Sequence, residues 1–243
     1  MRPPSIISKV DSDRFGVVVG RAFASGEYPV DHILADCQAQ SVKMLILRCK
    51  TEDTASVHAF EKRGARLMDT LVYYKRSLRK GELPAELKPN VIRPVVDADL
   101  SELGPLVQQT FSGYRGHYHA DELLDPAKCD EGYAEWALKM CINRDANTDV
   151  LIGEHPAGVV AGFATLRMNS PEEGEGVLFG VHPCAQGRGM YWSFMVKALE
   201  WCGQRGASRM VVSTQITNLS VQKVWTRMGF ELFSSYYTFH LWF

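Results

Sequence analysis

Between residues 180 and 190 the chain reads Gly180-Val-His-Pro-Cys-Ala-Gln-Gly-Arg-Gly-Met190. An apolar, strand-like segment leads in, Pro183 turns the chain, and a helix-periodic segment follows Gly189. Glycines at 187 and 189 let successive backbone N–H groups converge on one anion, and the N-terminal end of a helix adds partial positive charge. Arg188 brings a full charge to the same place. That chemistry suits a pyrophosphate. A Gly-x-Gly alone is often only a tight turn, so its flanks decide. The other phosphate loops and hydrolase motifs are missing: there is no G-x-G-x-x-G, G-x-x-x-x-G-K-[ST], G-x-S-x-G or H-E-x-x-H.

A second group is His117, His119 and Asp121, spaced as if along one face of an extended segment. Imidazoles there could contact a sugar or act as general base, or the three could simply hold a loop by hydrogen bonds. A metal site would need a further ligand that the sequence does not offer, and none is expected. Tyr133, Trp136, Trp192 and Trp201 read as core or helix-packing aromatics. Tyr236 and Tyr237, neighbours on a strand, should face opposite ways.

The background is balanced. With 27 Lys+Arg and 28 Asp+Glu in 243 residues the formal charge is −1, which leaves no electrostatic footprint for nucleic acid. No apolar run approaches the ~20 residues of a membrane span, and residues 1–10 hold no apolar core of a signal peptide. Six cysteines without C-x-x-C or zinc spacing read as reduced, mostly buried thiols of a cytoplasmic protein, with Cys184 at the surface.

The elements that must position these residues fall into two runs. Residues 79–90, with two prolines, a glycine and five charges, read as a linker. It separates a shorter half of charge +4 from a longer one of −5, which should attract weakly. Before it, the patterns predict a strand over 14–23, a helix over 29–40, a strand over 42–49, a helix over 54–63 closed by Gly64, and a strand near 71–75. After it come a strand at 91–95, a helix at 100–111, and a polar and aromatic segment followed by a helix near 130–142. Strands follow at 149–154, 159–167 and 176–181, then a helix over 190–202 and a strand over 209–214. Val221, Val224, Trp225 and Met228 mark an amphipathic helix over 220–228 ended by Gly229, and a strand over 234–242 closes the chain. Phe60 precedes Gly64 by four residues, as Trp225 precedes Gly229. One strand–helix–glycine–strand pattern is used twice.

The run from Val181 through Gly189, then a helix, a strand, Asn218 and Met228-Gly-Phe230, resembles the GNAT superfamily of N-acetyltransferases over essentially all of residues 91–243. The short first half, Ser213-Thr-Gln-Ile-Thr-Asn218 and Tyr114-Arg-Gly-His-Tyr-His-Ala-Asp121, followed by Tyr133 and Trp136, are similar to the dTDP-fucosamine acetyltransferases, which acetylate a nucleotide-linked amino sugar. The resemblance implies a mixed α/β (α+β) sheet of GNAT type at 91–243, a truncated GNAT-like domain at 1–80, and a linker at 81–90. It implies acetyl-CoA as co-substrate. The backbone amides of Gln186, Gly187, Arg188, Gly189 and Met190 would hold the pyrophosphate. The strand through Phe179 and Val181 would bond the pantetheine arm, and Asn218 and Trp225 would touch CoA. In this family two parallel strands splay in mid-sheet and the thioester lies in the gap, where strand amides can stabilise the oxyanion.

By the same resemblance Glu175 stands where a strand glutamate often meets the acceptor, although Glu172-Glu-Gly-Glu175 also reads as a solvated loop. Trp225 occupies the position of the family's usual tyrosine acid. An indole N–H can donate a hydrogen bond but does not titrate, so Tyr236 or Tyr237 could stand in. The expected activity is acetyl transfer to a primary amine, favouring an amino sugar, with family habit implying a homodimer. Another amine acceptor, a protein N-terminus among them, and a non-catalytic acyl-CoA-binding module remain open.

Overall fold

A computed structural model describes residues 6–79, 81–86, 90–143, 145–154 and 158–243, without the side chain of Tyr133. The first half is α1 (Lys9–Phe15), β1 (Val19–Phe23), α2 (Val30–Ala39), β2 (Met44–Lys50), α3 (Thr54–Glu61) and β3 (Arg66–Ser77). The second is β4 (Val91–Pro94), α4 (Leu100–Phe111), α5 (Pro126–Ile142), β5 (Thr148–Glu154), β6 (Val160–Ser170), β7 (Glu173–Val181), α6 (Met190–Gln204), β8 (Arg209–Gln215), α7 (Leu219–Arg227) and β9 (Glu231–Trp242).

Among the described residues, nine strands form one mixed sheet in the order β1-β2-β9-β3-β8-β7-β6-β5-β4. Its two central strands are exchanged. β9, from the end of the chain, pairs antiparallel with β2 and β3, and β3, from the first half, pairs antiparallel with β8. Only β1 with β2 and β7 with β8 run parallel. The sheet therefore reads alike from either side of its centre, β1-β2-β9 against β7-β8-β3.

One face is covered by α2 and α3 over Leu45, Leu47, Phe239 and Leu241, and by α6 and α7 over Ala164, Leu166, Met210 and Val212. On the other face α4 and α5 cover Val150, Ile152 and Phe163, while Tyr118, Leu124 and Cys129 cover Met44 and Ile46. Phe60, Phe163, Phe194 and Phe239 are among the largest fully buried side chains, each contributing about 1.5–3 kcal/mol by burial. Between the two covered areas of this second face the middle of the sheet stays open.

Two elements differ from the sequence reading. Residues 14 and 15, expected to open a strand, instead end a helix over 9–15: Ser8 caps its N-terminus by accepting from the Asp11 N–H, and Gly16 ends it at φ 72°. β3 spans 12 residues where five were expected, because it pairs with β8 and β9 on both edges. The linker residues described run along α6, where Ala85 O accepts from the Trp192 indole at 2.9 Å and Glu86 lies 3.7 Å from Lys197. Between the halves, Arg14 meets Glu135 at 2.9 Å and Arg66 pairs with Glu122, basic first-half residues against acidic second-half ones.

Candidate active site

The parallel pairing of β7 and β8 covers Glu173–Gly176 against Arg209–Val212 and stops there. Both strands continue, to Val181 and to Gln215, without pairing to each other. On its other edge β7 carries a bulge: Leu178 pairs with Thr165 and Gly176 with Leu166, so Val177 is an extra residue. A bulge bends and twists its strand, and here it turns β7 away from β8. The result is a gap in mid-sheet that leaves strand amides unclaimed by a neighbouring strand.

At the far end of β7, residues 183–185 form a single 3-10 turn and the chain enters α6. Gly187 and Gly189 have φ values of 71° and 85°, a region that only glycine adopts without strain. The N-cap of α6 is Gly189, and it supplies no side chain to the first-turn N–H groups. Gln186, Gly187 and Arg188 are exposed, whereas the Met190 side chain is buried beside Phe194, leaving only its amide for a ligand. The residues present thus fit a bound diphosphate: uncapped amides at a helix N-terminus, in a glycine turn with a cation beside it. Val181 O is held by the Gln186 side chain at 3.1 Å, which fixes strand to loop. His182 caps the 3-10 turn, bonds the Cys184 thiol at 2.8 Å and reaches Gln109 at 2.5 Å.

A cleft of about 570 Å³ opens from the strand gap across the uncovered face of the sheet. The β7 edge from Glu175 to Phe179, Ser213 to Gln215 of β8, and Asn218, Tyr191 and Trp225 line one side. His117, Tyr114, Trp136, Arg21 and Arg48 line the other. Glu175 is on β7 rather than in a loop, and Arg167 of β6 holds its carboxylate at 2.6 Å. Asn218 is the N-cap residue of α7, its amide donating to Thr214 at 3.1 Å. Trp136, expected in a helix interface, is 40% exposed and presents its ring to the cleft.

Trp225 is buried, and its indole N–H donates to the Tyr191 hydroxyl at 2.9 Å. The accepting oxygen keeps its own proton, so this pair presents an O–H beside the gap. Burial drives the Tyr191 phenol well above its ordinary pKa, only partly opposed by the indole's hydrogen bond, and it stays protonated. Tyr191 was not among the residues that the sequence motifs point to, because the loop glycines mark only where α6 begins. A tyrosine two residues past the last loop glycine was the available signal.

His117 and His119 part company. Residues 116–124 are successive turns, with backbone bonds from His119 to Gly116, Asp121 to Tyr118 and Leu124 to Asp121, not an extended segment. His119 therefore points away from the cleft, its Nε2 on Asp130 at 2.9 Å and its Nδ1 accepting from the Gly116 N–H at 3.2 Å. His117 lines the cleft and its Nδ1 lies 2.9 Å from His240 Nε2 of β9. His240 Nδ1 in turn lies 2.7 Å from Asp121 Oδ2. Tyr236, placed by sequence among catalytic groups, packs between Phe23 and Tyr73 at 5.1 and 5.2 Å and does not line the cleft. Tyr237 faces the opposite side, over α2 and α3. Among the described residues no group of three or more His, Cys, Asp or Glu side chains could hold a metal ion, and no helix is long and apolar enough to cross a membrane.

Residues 111–230 match the sequence model of the acetyltransferase (GNAT) family, which assigns this segment to the GNAT superfamily. The mixed α/β sheet is that of GNAT-type structures. A conserved protein of unknown function from Staphylococcus epidermidis superposes over 99% of this chain and 92% of its own, with a TM-score of 0.63 at 10% identity. A tandem GNAT protein from the clavulanic acid biosynthesis pathway superposes over 87% and 67%, with a TM-score of 0.59 at 13% identity. In sequence, the spore coat polysaccharide biosynthesis protein SpsD of Bacillus subtilis is 20% identical over 210 residues, 84% of this chain and 68% of that one.

Proposed function

We propose that the protein transfers an acetyl group from acetyl-CoA to the primary amine of a small acceptor, and that the acceptor is an amino sugar, free or nucleotide-linked. The observation that carries this reading is the junction of the β7–β8 gap with the glycine turn at the N-terminus of α6. The Gln186 N–H, expected to join the anion site, donates instead to Pro183 O at 3.3 Å; a diphosphate held by the amides of residues 187–190, with Arg188 beside it, directs the pantetheine arm along Phe179 and Val181 into the gap. There the thioester meets amides that no strand partner claims, which favour the developing oxyanion. Asn218 and Trp225 close the gap from the α7 side.

The acceptor enters from the uncovered face. An exposed indole at Trp136 with Tyr114 gives an aromatic wall, and Glu175, Arg167, Arg48 and His117 supply polar contacts, the mixture that a polar ring-shaped ligand requires. Its amine must be neutral to attack, and Glu175, His117 and the half-buried carboxyl of Asp69, which burial raises above its ordinary pKa, are among the groups lining the cleft that can take a proton. Tyr191, held by Trp225, takes the position that a tyrosine at 225 would have filled and donates to the departing sulfur. The polysaccharide biosynthesis relative supports the sugar acceptor. We also read residues 1–80 as a truncated GNAT-like unit and 81–90 as its linker; the mirrored strand order and the tandem GNAT neighbour support this.

The test is release of the CoA thiol when acetyl-CoA is offered with a panel of amines, aminodeoxy sugars free and nucleotide-linked among them. Turnover with an amino sugar is the expected result. Binding of acetyl-CoA without release from any amine would leave a carrier module instead, and preference for an amino acid, a polyamine or a protein N-terminus would move the acceptor class.

A further inference from the structure

Asp121, His240 and His117 form a line of side chains that begins in the core and ends in the cleft. Asp121 and His240 are buried, 3% and 1% exposed. The Asp121 carboxylate accepts from His240 Nδ1 at 2.7 Å, from the Trp242 indole at 3.0 Å and from the Leu123 N–H at 3.1 Å. Burial alone would raise its pKa, but these three donors outweigh it and hold the carboxyl below its ordinary value. It is an anion.

With His240 neutral, the anion settles both tautomers. A carboxylate only accepts, so His240 carries its proton on Nδ1 and, when neutral, presents a lone pair at Nε2. His117 Nδ1, 2.9 Å away, must then donate. That puts the lone pair of His117 on Nε2, which has no hydrogen-bond partner among the described residues, on a ring that lines the cleft. Burial first, then the nearby His240, Arg21, Arg48 and His119, keep His117 well below its ordinary pKa, so this lone pair is present at neutral pH.

Building on the acetyltransferase reading, we infer that His117 Nε2 is the base that deprotonates the acceptor ammonium, and that His240 and Asp121 are positioning residues that carry the resulting charge away from it. An imidazolium at His117, with Arg21 and Arg48 near, is unfavourable. Passing the Nδ1 proton to His240 Nε2 moves the charge onto the ring that already bonds Asp121. The balance is complete. The ammonium gives one proton to His117 Nε2, and the freed nitrogen pair forms the C–N bond. The C–S bond breaks with its pair on sulfur, the nitrogen's second proton ends on that sulfur, and the relay returns its own proton to water as products leave. Glu175 then serves to orient the amine, its carboxylate shared with Arg167.

Two variants and one spectrum test this. His240→Gln keeps an acceptor for His117 and a donor for Asp121 but cannot carry charge, and Asp121→Asn removes the counter-ion. With the best amine of the panel, each should lower kcat by about tenfold or more while the acetyl-CoA Kd stays within about twofold. The charged groups that act on His117 are His240 of β9, Arg21 of β1, Arg48 of β2 and His119 of its own loop, with Asp121 behind His240 and Asp11 paired to Arg21. Asp121→Asn removes the anion that backs His240, so the acid-side inflection of kcat/KM for the amine should move to lower pH; a merely structural role would leave it in place. Nitrogen-15 spectra of the histidine rings in the unmodified chain should show His117 and His240 protonated at Nδ1 and bare at Nε2, whether or not the variants fold. His117 protonated at Nε2, or variants with unaltered kcat and inflection, would overturn the relay alone. A wild type that binds acetyl-CoA yet transfers to no amine overturns the acetyltransferase reading, and the relay falls with it.

Discussion

The segments β2-α3-Gly64-β3 and β8-α7-Gly229-β9 are built alike to a fine level. Asp53 and Asn218, each 11 residues before its glycine, stand at the N-cap positions of their helices at φ −85°, ψ 69° and φ −80°, ψ 67°, although only the Asp53 side chain accepts from a first-turn N–H. Gly64 and Gly229 stand at φ 81° and 79°. The next N–H, of Ala65 or Phe230, returns to the carbonyl of Phe60 or Trp225 at 3.0 and 2.9 Å. The halves diverge upstream. β1 and β2 stay zipped to the end, with Ala24 N–H still donating to Arg48 O at 2.8 Å, and α2 begins after Pro29, preceded by a Ser25–Tyr28 turn whose single glycine, Gly26, is not among the glycines at positive φ. β7 and β8 part after four pairs and α6 begins at Gly189. The scaffold is thus repeated and the site is not. Cofactor chemistry sits in one bulge and one loop.

The largest expected effect breaks that difference directly. Gly189→Val forces a β-branched residue to φ near 85°, at a cost of about 1–3 kcal/mol, and obstructs the anion's approach. Acetyl-CoA affinity should fall by about tenfold or more in a calorimetric titration, while the strain lowers the thermal midpoint by roughly 2–4 °C per kcal/mol without abolishing the cooperative transition. The same titration of the unmodified chain should give one acetyl-CoA per chain. A stoichiometry of two would mean that the zipped half binds as well.

Much of this was legible in sequence. The glycine loop, α4, α6 and the Trp225–Gly229 helix end read directly, because each rests on local periodicity, capping or a required positive φ. The exchange of β3 and β9 could not be read, since antiparallel pairing across some 170 residues leaves no local mark. Nor could the fate of His117 and His119: their spacing suggested a shared face, and turns closed by backbone bonds rotated one away. α1 was marked by Ser8, Asp11 and Gly16, a cap pattern overlooked beside the apolar Val17–Val19. Tyr191 is marked in sequence only by its place two residues past Gly189, and its partner Trp225 is brought to it by folding.

A smaller effect concerns the hydroxyl that distinguishes the two halves. At the Trp225 position the first half has Phe60, stacked on Phe239 at 6.4 Å with no polar partner in reach of its ring. Tyr191→Phe removes the donor itself and should lower kcat by about tenfold or more, acetyl-CoA affinity being retained. Trp225→Phe imitates the first half, leaves the Tyr191 hydroxyl in place, and should cost less than about tenfold, a barrier change of ~1.4 kcal/mol. A CoA thiol with pKa near ~8.5 leaves tolerably as the anion, which limits both losses. If Trp225→Phe were the more damaging, the indole rather than the phenol would be the group at the sulfur.

The smallest effect tests the likeness rather than the difference. Gly64 and Gly229 each end a helix in the left-handed region, and a Cβ built at either meets nothing within 4 Å. Crowding therefore plays no part, and alanine should lose only the strain of positive φ, about 1 kcal/mol, slightly offset by a less flexible unfolded chain. Urea unfolding of Gly64→Ala and Gly229→Ala should give equal losses within about 0.5 kcal/mol, because backbone angles and the returning hydrogen bond match. Both glycines precede one of the two exchanged central strands, so neither half can relax without the other. Unequal losses would mean that one strand–helix–glycine–strand unit is held more by its neighbours than by its own turn, and the repeat would be a likeness of shape only.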